Sequence, residues 1–385
     1  MSRVARIAAM YFCFGAGIAL AASASFPAWM LGPFTRPAQD APVITPNPGA
    51  LFHGPLRGAP VRWEALHTFN PAAIVRDGKV YVLYRAEDDT GTSAIGMHTS
   101  RLGLATSADG IHFTQSAQPV FYPANDTQRG REWPGGVEDP RIVQSEDGTY
   151  VLTYTQWNRK TYDIGIATSR DLIHWVKYGP VFGSTGKYAH LRYKSAGILT
   201  RLDGARLIAA KVHGKYWMYW GEGHVGVATS TDLIHWTPVE GADGTPLVLL
   251  APRAGRFDSA LPEVGPPALL TQHGILLIYN GKNGGKEVGG ADGAAALAAD
   301  PSLPPATYSV GQALFSADDP AHLLRRTDKP FFKPEMPFER SGQYAAGTTF
   351  AEGLVFFRGK WFLYYGCADS LVGVAIASPD SSASR

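Results

Sequence analysis

Cysteine is nearly absent from this chain, with two among 385 residues, Cys13 and Cys367. Cys13 lies in an apolar N-terminal stretch, so Cys367 would stand alone in a mature protein and no intramolecular disulfide is available. Charge is also scarce: Asp, Glu, Lys and Arg make up 18 % of the residues, well mixed, with a net charge of +2. That balance argues against a nucleic-acid surface or a polybasic membrane patch, and an uncharged partner is the simpler expectation. No zinc-ligand spacing, phosphate-cradling glycine loop or dinucleotide fingerprint is present, so neither metal nor cofactor is expected. Gly281-Lys282-Asn283-Gly284-Gly285-Lys286 holds glycines and lysines but follows no strand-to-helix pattern, and reads as a loop.

Long apolar runs are missing with one exception. Arg3 and Arg6 precede the run from Ile7 to Ala22, and small residues Ala22-Ser23-Ala24 follow it. This reads as a secretory signal over residues 1–24. An uncleaved anchor is the alternative, although the run is short for a bilayer span. The expectation is an exported protein, periplasmic or secreted, without stable membrane insertion after cleavage.

Glycine (43) and proline (28) are plentiful, as in a chain of many tight turns, and 45 % apolar residues suffice for a core. Residues 25–60 form a Pro-rich lead-in and residues 378–385 a tail expected to be disordered. Between them, residues 61–377 write one unit five times. A strand-like run, an Asp-Gly or similar turn and a second strand come first, as in Ala73-Ile74-Val75, Asp77-Gly78 and Val80 to Tyr84. A recurring phrase follows: Gly103-Leu104-Ala105-Thr106-Ser107-Ala108-Asp109, Gly165-Ile166-Ala167-Thr168-Ser169-Arg170-Asp171 and Gly226-Val227-Ala228-Thr229-Ser230-Thr231-Asp232, with weaker copies at Gly311 and Gly373. Hairpin units at long, regular spacing mean blades around an axis, so the expected fold is all-β, a five-bladed β-propeller. His112, His174 and His235 recur inside the phrase and read as structural corner residues.

In a propeller the start of each blade's first strand and the end of its second converge on one mouth. The openings are Asn70-Pro71, Glu138-Asp139-Pro140-Arg141, Lys194-Ser195, Glu263-Val264-Gly265 and Glu352-Gly353. The second-strand ends are Tyr84 to Glu87, Gln156-Trp157-Asn158, Trp220-Gly221-Glu222, Asn280 to Asn283 and Cys367-Ala368-Asp369. Carboxylates gathered in a cavity with aromatic walls suit glycosidic bond cleavage, one acid protonating the leaving oxygen and another base activating water. The acids available are Glu138, Asp139, Glu222, Glu263 and Glu352. Trp157, Trp220, Tyr84 and Trp133 offer faces for sugar rings, and Asn70, Arg85, Asn158, Lys194 and Asn280 offer hydroxyl partners. Arg141 either joins them or pairs with a neighbouring blade's acid. The insertion Gly284 to Pro305 projects from the same face, as a surface loop or a lid.

Asn70-Pro71-Ala72, Tyr84-Arg85-Ala86, Glu138-Asp139-Pro140-Arg141, the Ala-Thr-Ser-x-Asp-Leu-Ile-His-Trp phrase, Glu263-x-Gly-Pro-Pro and Ile278-Tyr279-Asn280-Gly281 together resemble glycoside hydrolase family 130. The resemblance implies a five-bladed propeller acting on β-mannosides, by inverting phosphorolysis or, in a smaller branch, by hydrolysis. It implies that Asp139 is the general acid, whose proton in the phosphorylases passes through a sugar hydroxyl. Where those enzymes carry a histidine-arginine pair for phosphate, this chain has Trp217 to Trp220, Gly221 and Glu222. With Lys194-Ser195, that is similar to the hydrolase branch, in which Glu222 and Glu263 match the candidate bases. Asn70, Arg85, Lys194 and Asp258 are then expected to bind an oligosaccharide. A phosphorylase, with Lys187, His190, Arg192 and Lys194 holding the anion, is the nearest alternative, and a non-catalytic carbohydrate-binding propeller is another. Arabinanase-like propellers fit less well, because they open blade 1 with an aspartate where this chain has Asn70.

Overall fold

The computed structural model describes residues 26–37, 41–285 and 297–379. The segment 1–24 expected to direct export, the core of the insertion at 286–296 and most of the C-terminal tail lie outside the described residues. Among the described residues no helix is long and apolar enough to cross a membrane.

The chain is a β-propeller. Blade 1 pairs His67–Arg76, Lys79–Glu87, Ser100–Ser107 and Thr114–Gln115 in antiparallel order. Blade 2 repeats the pattern with Gly136–Gln144, Tyr150–Trp157, Tyr162–Ser169 and Trp175–Pro180. Blade 4 uses Leu261–Val264 with Leu269–Thr271, then Gly274–Lys282, Tyr308–Phe315 and Leu323–Arg326. Blade 3 departs from the expected hairpin. Its first strand, Ala196–Ile198, pairs near the mouth with Lys215–Trp220, but at the far end Thr200–Asp203 pairs with an extra strand, Arg206–Ala209, whose Ile208 bridges Gln144 of blade 2, while Lys211–Val212 pairs with Lys215–Trp220. Gly226–Ser230 and Thr237–Pro238 complete it.

Blade 5 has three strands of its own, Thr349–Phe357, Lys360–Cys367 and Leu371–Ala377. The N-terminal lead-in supplies the fourth, bridging Thr35 to Ile376 and Ile44 to Val372. The last blade is closed by the first described residues, a partner that no local pattern announces.

The recurring glycine of the repeat phrase has a packing reason. Gly103, Gly165, Gly311 and Gly373 each sit directly opposite a tyrosine on the second strand, Tyr84, Tyr154, Tyr279 and Tyr365. A Cβ at Gly103 would lie 2.3 Å from the Tyr84 ring, and one at Gly373 2.5 Å from the Tyr365 ring, so only glycine leaves room. Each tyrosine hydroxyl then meets an acid from a strap outside the blade: Glu64 at 2.6 Å, and Glu132, Asp258 and Glu339 at 2.8 Å. In blade 3 the residue opposite Gly226 is Trp220, buried against Phe182 and Tyr193, with its indole nitrogen unpartnered.

The repeated histidines are corner residues as expected. Asp109, Asp171 and Asp232 accept backbone N–H bonds from the residues two and three positions on, and each faces the ring of His112, His174 or His235 at 2.6–2.8 Å.

Candidate active site

Bulges in the inner strands aim side chains into the mouth. The pairing register slips between Phe69 and Pro71 and between Glu138 and Arg141, leaving Asn70 and Asp139 in the left-handed region with φ of 47° and 48°. Asn and Asp tolerate that region best among residues with side chains, and a bulge accommodates the following proline, which has no N–H to give. The Asn-Pro and Asp-Pro openings are therefore bulge signatures. Ser195, just before the first strand of blade 3, is also left-handed, at φ 61°.

These elements surround a cavity of about 310 Å³. It gathers Asn70, Arg85, Glu138, Asp139, Trp157, Lys194, Glu222 and Glu263. Larger surface clefts exist, one of about 640 Å³ between the outer edges of blades 2 and 3, but it collects turn residues of the repeat phrase rather than converging acids.

Asp139 Oδ1 accepts hydrogen bonds from Asn70 Nδ2 at 2.8 Å and Arg85 Nη1 at 3.2 Å. Arg85 Nη2 reaches Glu87 Oε1 at 2.7 Å and Glu138 Oε1 at 2.9 Å. Lys194 stands 3.9 Å from Glu138 Oε2 with its side chain 27 % exposed to the cavity. Burial pushes the Asp139 carboxyl up, but Arg85, Lys194, Arg141 and the Asn70 hydrogen bond outweigh it and hold Asp139 below the usual carboxylate range. At Glu138 burial wins over Arg85 and Lys194, and the carboxyl is raised. The acids around Lys194 raise its ammonium despite burial, so it stays charged.

Across the cavity the backbones of Glu222 and Glu263 bridge one another, which sets their side chains next to each other. Glu263 is buried and accepts a 2.6 Å hydrogen bond from Ser195 Oγ. Burial, followed by the charge of Glu222, pushes Glu263 up to about 8 against the pull of Arg141 and Ser195. Glu263 thus keeps its proton near neutral pH, beside the more open Glu222.

Several expected ligands belong elsewhere. Trp220 is a blade-core residue, in the place of the repeat tyrosine. Tyr84 is likewise buried against Gly103 and Glu64, and Trp133 does not line the cavity. Asp258 is fully buried behind blade 4, held by Arg253 at 2.8 Å, Arg326 at 2.7 Å and Tyr279 at 2.8 Å. Asn280 uses both ends of its amide on the Ala351 backbone, tying blade 4 to blade 5. Asn158 turns outward to cap its own loop through Lys160 and Thr161. Arg141 takes the structural role: it donates to the carbonyls of Asp139, Val264 and Gly265 and stands 3.0 Å from buried Glu352, joining blades 2, 4 and 5 at the axis. Glu352 therefore does not reach the cavity. Ser195 acts on Glu263 rather than lining the space itself. Lys187 and Arg192 are taken by Glu240 and Asp163, and neither they nor His190 lines the cavity.

Phe69, Ile95, Gly96, Tyr162, Tyr308, Tyr344, Phe350 and Asp369 complete the lining, and of these only Asp369 is among the expected mouth residues. Tyr162 and Tyr308 begin third strands, which return to the mouth face just as second strands end there, and that topological rule would have found both. Asp369 follows the second strand of blade 5 at φ 51°. Burial first, then Asp139 and Glu87, push its carboxyl up to about 7 against Arg85 and Lys194.

A propeller whose mouth holds clustered acids, two cations and aromatic walls defines the class of carbohydrate-active propellers that work on glycosidic bonds. The family model described as β-1,4-mannooligosaccharide phosphorylase matches residues 54–381, and the chain belongs to glycoside hydrolase family 130. A 1,2-β-oligomannan phosphorylase from Thermoanaerobacter sp. (strain X514) is 31 % identical over 341 residues, 88 % of this chain and 95 % of that protein. A solved structure described in the words "The GH130 family of mannoside phosphorylases contains glycoside hydrolases that target beta-1,2 mannosidic linkages in Candida mannan" is 50 % identical with a TM-score of 0.88, covering 94 % of this chain and 98 % of that one. A glycosyl hydrolase from Bacteroides ovatus is 50 % identical with a TM-score of 0.86, covering 92 % and 96 %.

Proposed function

We propose that this protein cleaves β-mannosides, β-1,2-linked ones among them, with inversion and with water as the acceptor. The observation that carries the reading is the Glu222–Glu263 pair facing Asp139 across one cavity. A carboxylate where an anionic acceptor would have to sit repels phosphate but can take a proton from water. The solved structure at 50 % identity is described with hydrolases acting on β-1,2-mannosidic linkages, which supports the same acceptor.

Glu222 is the base in this scheme, because it is the more open member of the pair and Glu263 already holds a proton. It takes a proton from a water whose oxygen attacks the anomeric carbon. Glu263, holding its proton and fixed by Ser195, donates to that water or to Glu222. Asp139 delivers a proton to the leaving oxygen, directly or through a sugar hydroxyl. In the empty cavity Asp139 is ionised, so it takes up a proton from solvent as the substrate binds. Sugar hydroxyls that engage Arg85 and Lys194 loosen their hold on the carboxylate and displace water, and both changes raise its proton affinity.

Phosphorolysis is the second reading, favoured by the description of the family model and by the activity of the Thermoanaerobacter relative. Incubation with β-1,2-mannobiose, with and without inorganic phosphate and followed by NMR, separates the two. Mannose released without phosphate, first as the α-anomer, is the expected result. Mannose 1-phosphate formed only with phosphate would replace water with phosphate in the scheme.

A further inference from the structure

A cationic cluster lies on the far side of one cavity wall. The loop from Asp88 to Met97 gives Ile95 and Gly96 to the cavity, and Gly96 O accepts the Trp157 indole N–H at 2.8 Å. Behind it, Arg57 Nη2 donates to Thr90 Oγ1 at 2.6 Å, Thr90 Oγ1 donates to Asp88 Oδ1 at 2.6 Å, and Arg101 Nη1 pairs with Asp88 Oδ2 at 2.8 Å. Arg159 stands beneath the same loop, close enough that a Cβ on Gly91 would lie 3.5 Å from its Nη2. The carboxylates in this group are Asp88, occupied by Arg101, and Asp89, 3.4 Å from Arg62. Two acids thus face the four guanidiniums of Arg57, Arg62, Arg101 and Arg159.

Arg159 is the most telling member. Its Nε and Nη2 are buried and have no acceptor. A buried N–H without a partner is unfavourable, more so when the group is charged. Nε and an Nη form the edge of the guanidinium that matches an oxyanion bidentately. Arg57 is solvent-exposed, lies 5.8 Å from the Trp133 ring, and opens the cluster to the outside.

We propose that Arg57, Arg101 and Arg159, behind the Asp88–Met97 loop of the cavity wall, form a subsite for an oxyanion carried by the glycan, a phosphate ester on a manno-oligosaccharide. The glycan part rests on the reading of the cavity given above. Free inorganic phosphate shares the chemistry and is the other possible source.

Calorimetric titration of the full protein with inorganic phosphate, mannose and mannose 6-phosphate tests this. Mannose 6-phosphate is expected to bind more tightly than phosphate or mannose. Arg159→Gln is expected to weaken it roughly tenfold or more, the equivalent of one lost charged hydrogen bond. Arg57→Gln, at an exposed position that does not threaten folding, should weaken it in the same direction, and Lys194→Gln should leave phosphate binding in place. Equal affinity for phosphate and mannose 6-phosphate would support the site and assign it to the free ion. Phosphate binding lost in Lys194→Gln but kept in both arginine variants would overturn the proposal and move the anion into the cavity. Binding of mannose 6-phosphate no tighter than of mannose would also overturn it. Failure to cleave mannobiose with these affinities intact would count against the proposed reaction alone.

Discussion

Two groups of carboxylates in this molecule stand in contrast, one behind the blades and one at their mouth. Glu64, Glu132, Asp258 and Glu339 sit behind the blades, each meeting one tyrosine hydroxyl, and three of the four also meet a lysine or arginine. Glu138, Asp139, Glu222, Glu263 and Asp369 sit at the mouth and share Arg85 and Lys194 among them. Burial alone does not distinguish the groups. Dedicated partners mark the first as structural, while too few cations for too many acids leaves the second with proton affinities spread on both sides of neutral. Asp258 shows the cost of ignoring the distinction, since it looks like a sugar ligand in the sequence and is the one of these four acids paired with two arginines.

Substitutions should separate the two groups, and the largest effect falls at the mouth. Asp139→Asn should lower kcat by about a thousandfold, within the range for a positioned acid, with little change in melting temperature. Glu222→Gln should cost kcat on the order of a hundredfold, whereas Glu263→Gln, which mimics the protonated form already present, should cost about tenfold or less. Equal losses at the two glutamates, measured as kcat on mannobiose, would break the assignment of the base.

Behind the blades the effect moves to stability. Asp258→Asn leaves Arg253 and Arg326 without their buried acid and should cost about 3–5 kcal/mol in denaturant unfolding. The KM of the folded fraction should stay unchanged, and a KM raised severalfold would return Asp258 to the sugar site.

The pH dependence of stability gives a smaller difference. Glu263 titrates near 8 in the folded protein and near 4.5 in the unfolded chain. Between these values the unfolded chain has released a proton that the folded one retains, so this group's contribution to stability falls as pH rises. Glu263→Gln should therefore melt above the wild type at pH 8 and lose that advantage toward pH 4. A variant less stable than wild type at pH 8 would contradict the raised proton affinity. The smallest effect is expected at Trp220→Phe. It removes an unpartnered indole N–H and some packing, for about 1–2 kcal/mol, without altering KM.

The blades and their mouth were legible because the repeat is local. Hairpin turns, the Gly-x-Ala-Thr-Ser-x-Asp phrase and the Asn-Pro and Asp-Pro bulges all lie within short windows, and strand direction brings Asn70, Arg85, Glu138, Asp139, Trp157, Lys194, Glu222 and Glu263 to one face. Which way a side chain turns at that face was not legible. Trp220 and Glu222 are two residues apart, yet one packs into the blade and the other faces the cavity. Asn280 sits one strand from Glu263 and spends its amide on Ala351. The strand that closes blade 5 comes from residues more than 300 positions away, and no short-range pattern encodes such a pairing.

That closure has a consequence for how the chain reaches its final form. Thr35 and Ile44 dock on the strand Leu371–Ala377, near the other end of the described chain. A growing polypeptide cannot seal its ring until Leu371–Ala377 has been made. Until then Leu371–Ala377, or the segment waiting for it, presents an unpaired edge that can recruit a second copy. A protein trimmed past Ile44 would carry that open edge permanently, and its self-association would rise with concentration even with every residue of the cavity in place.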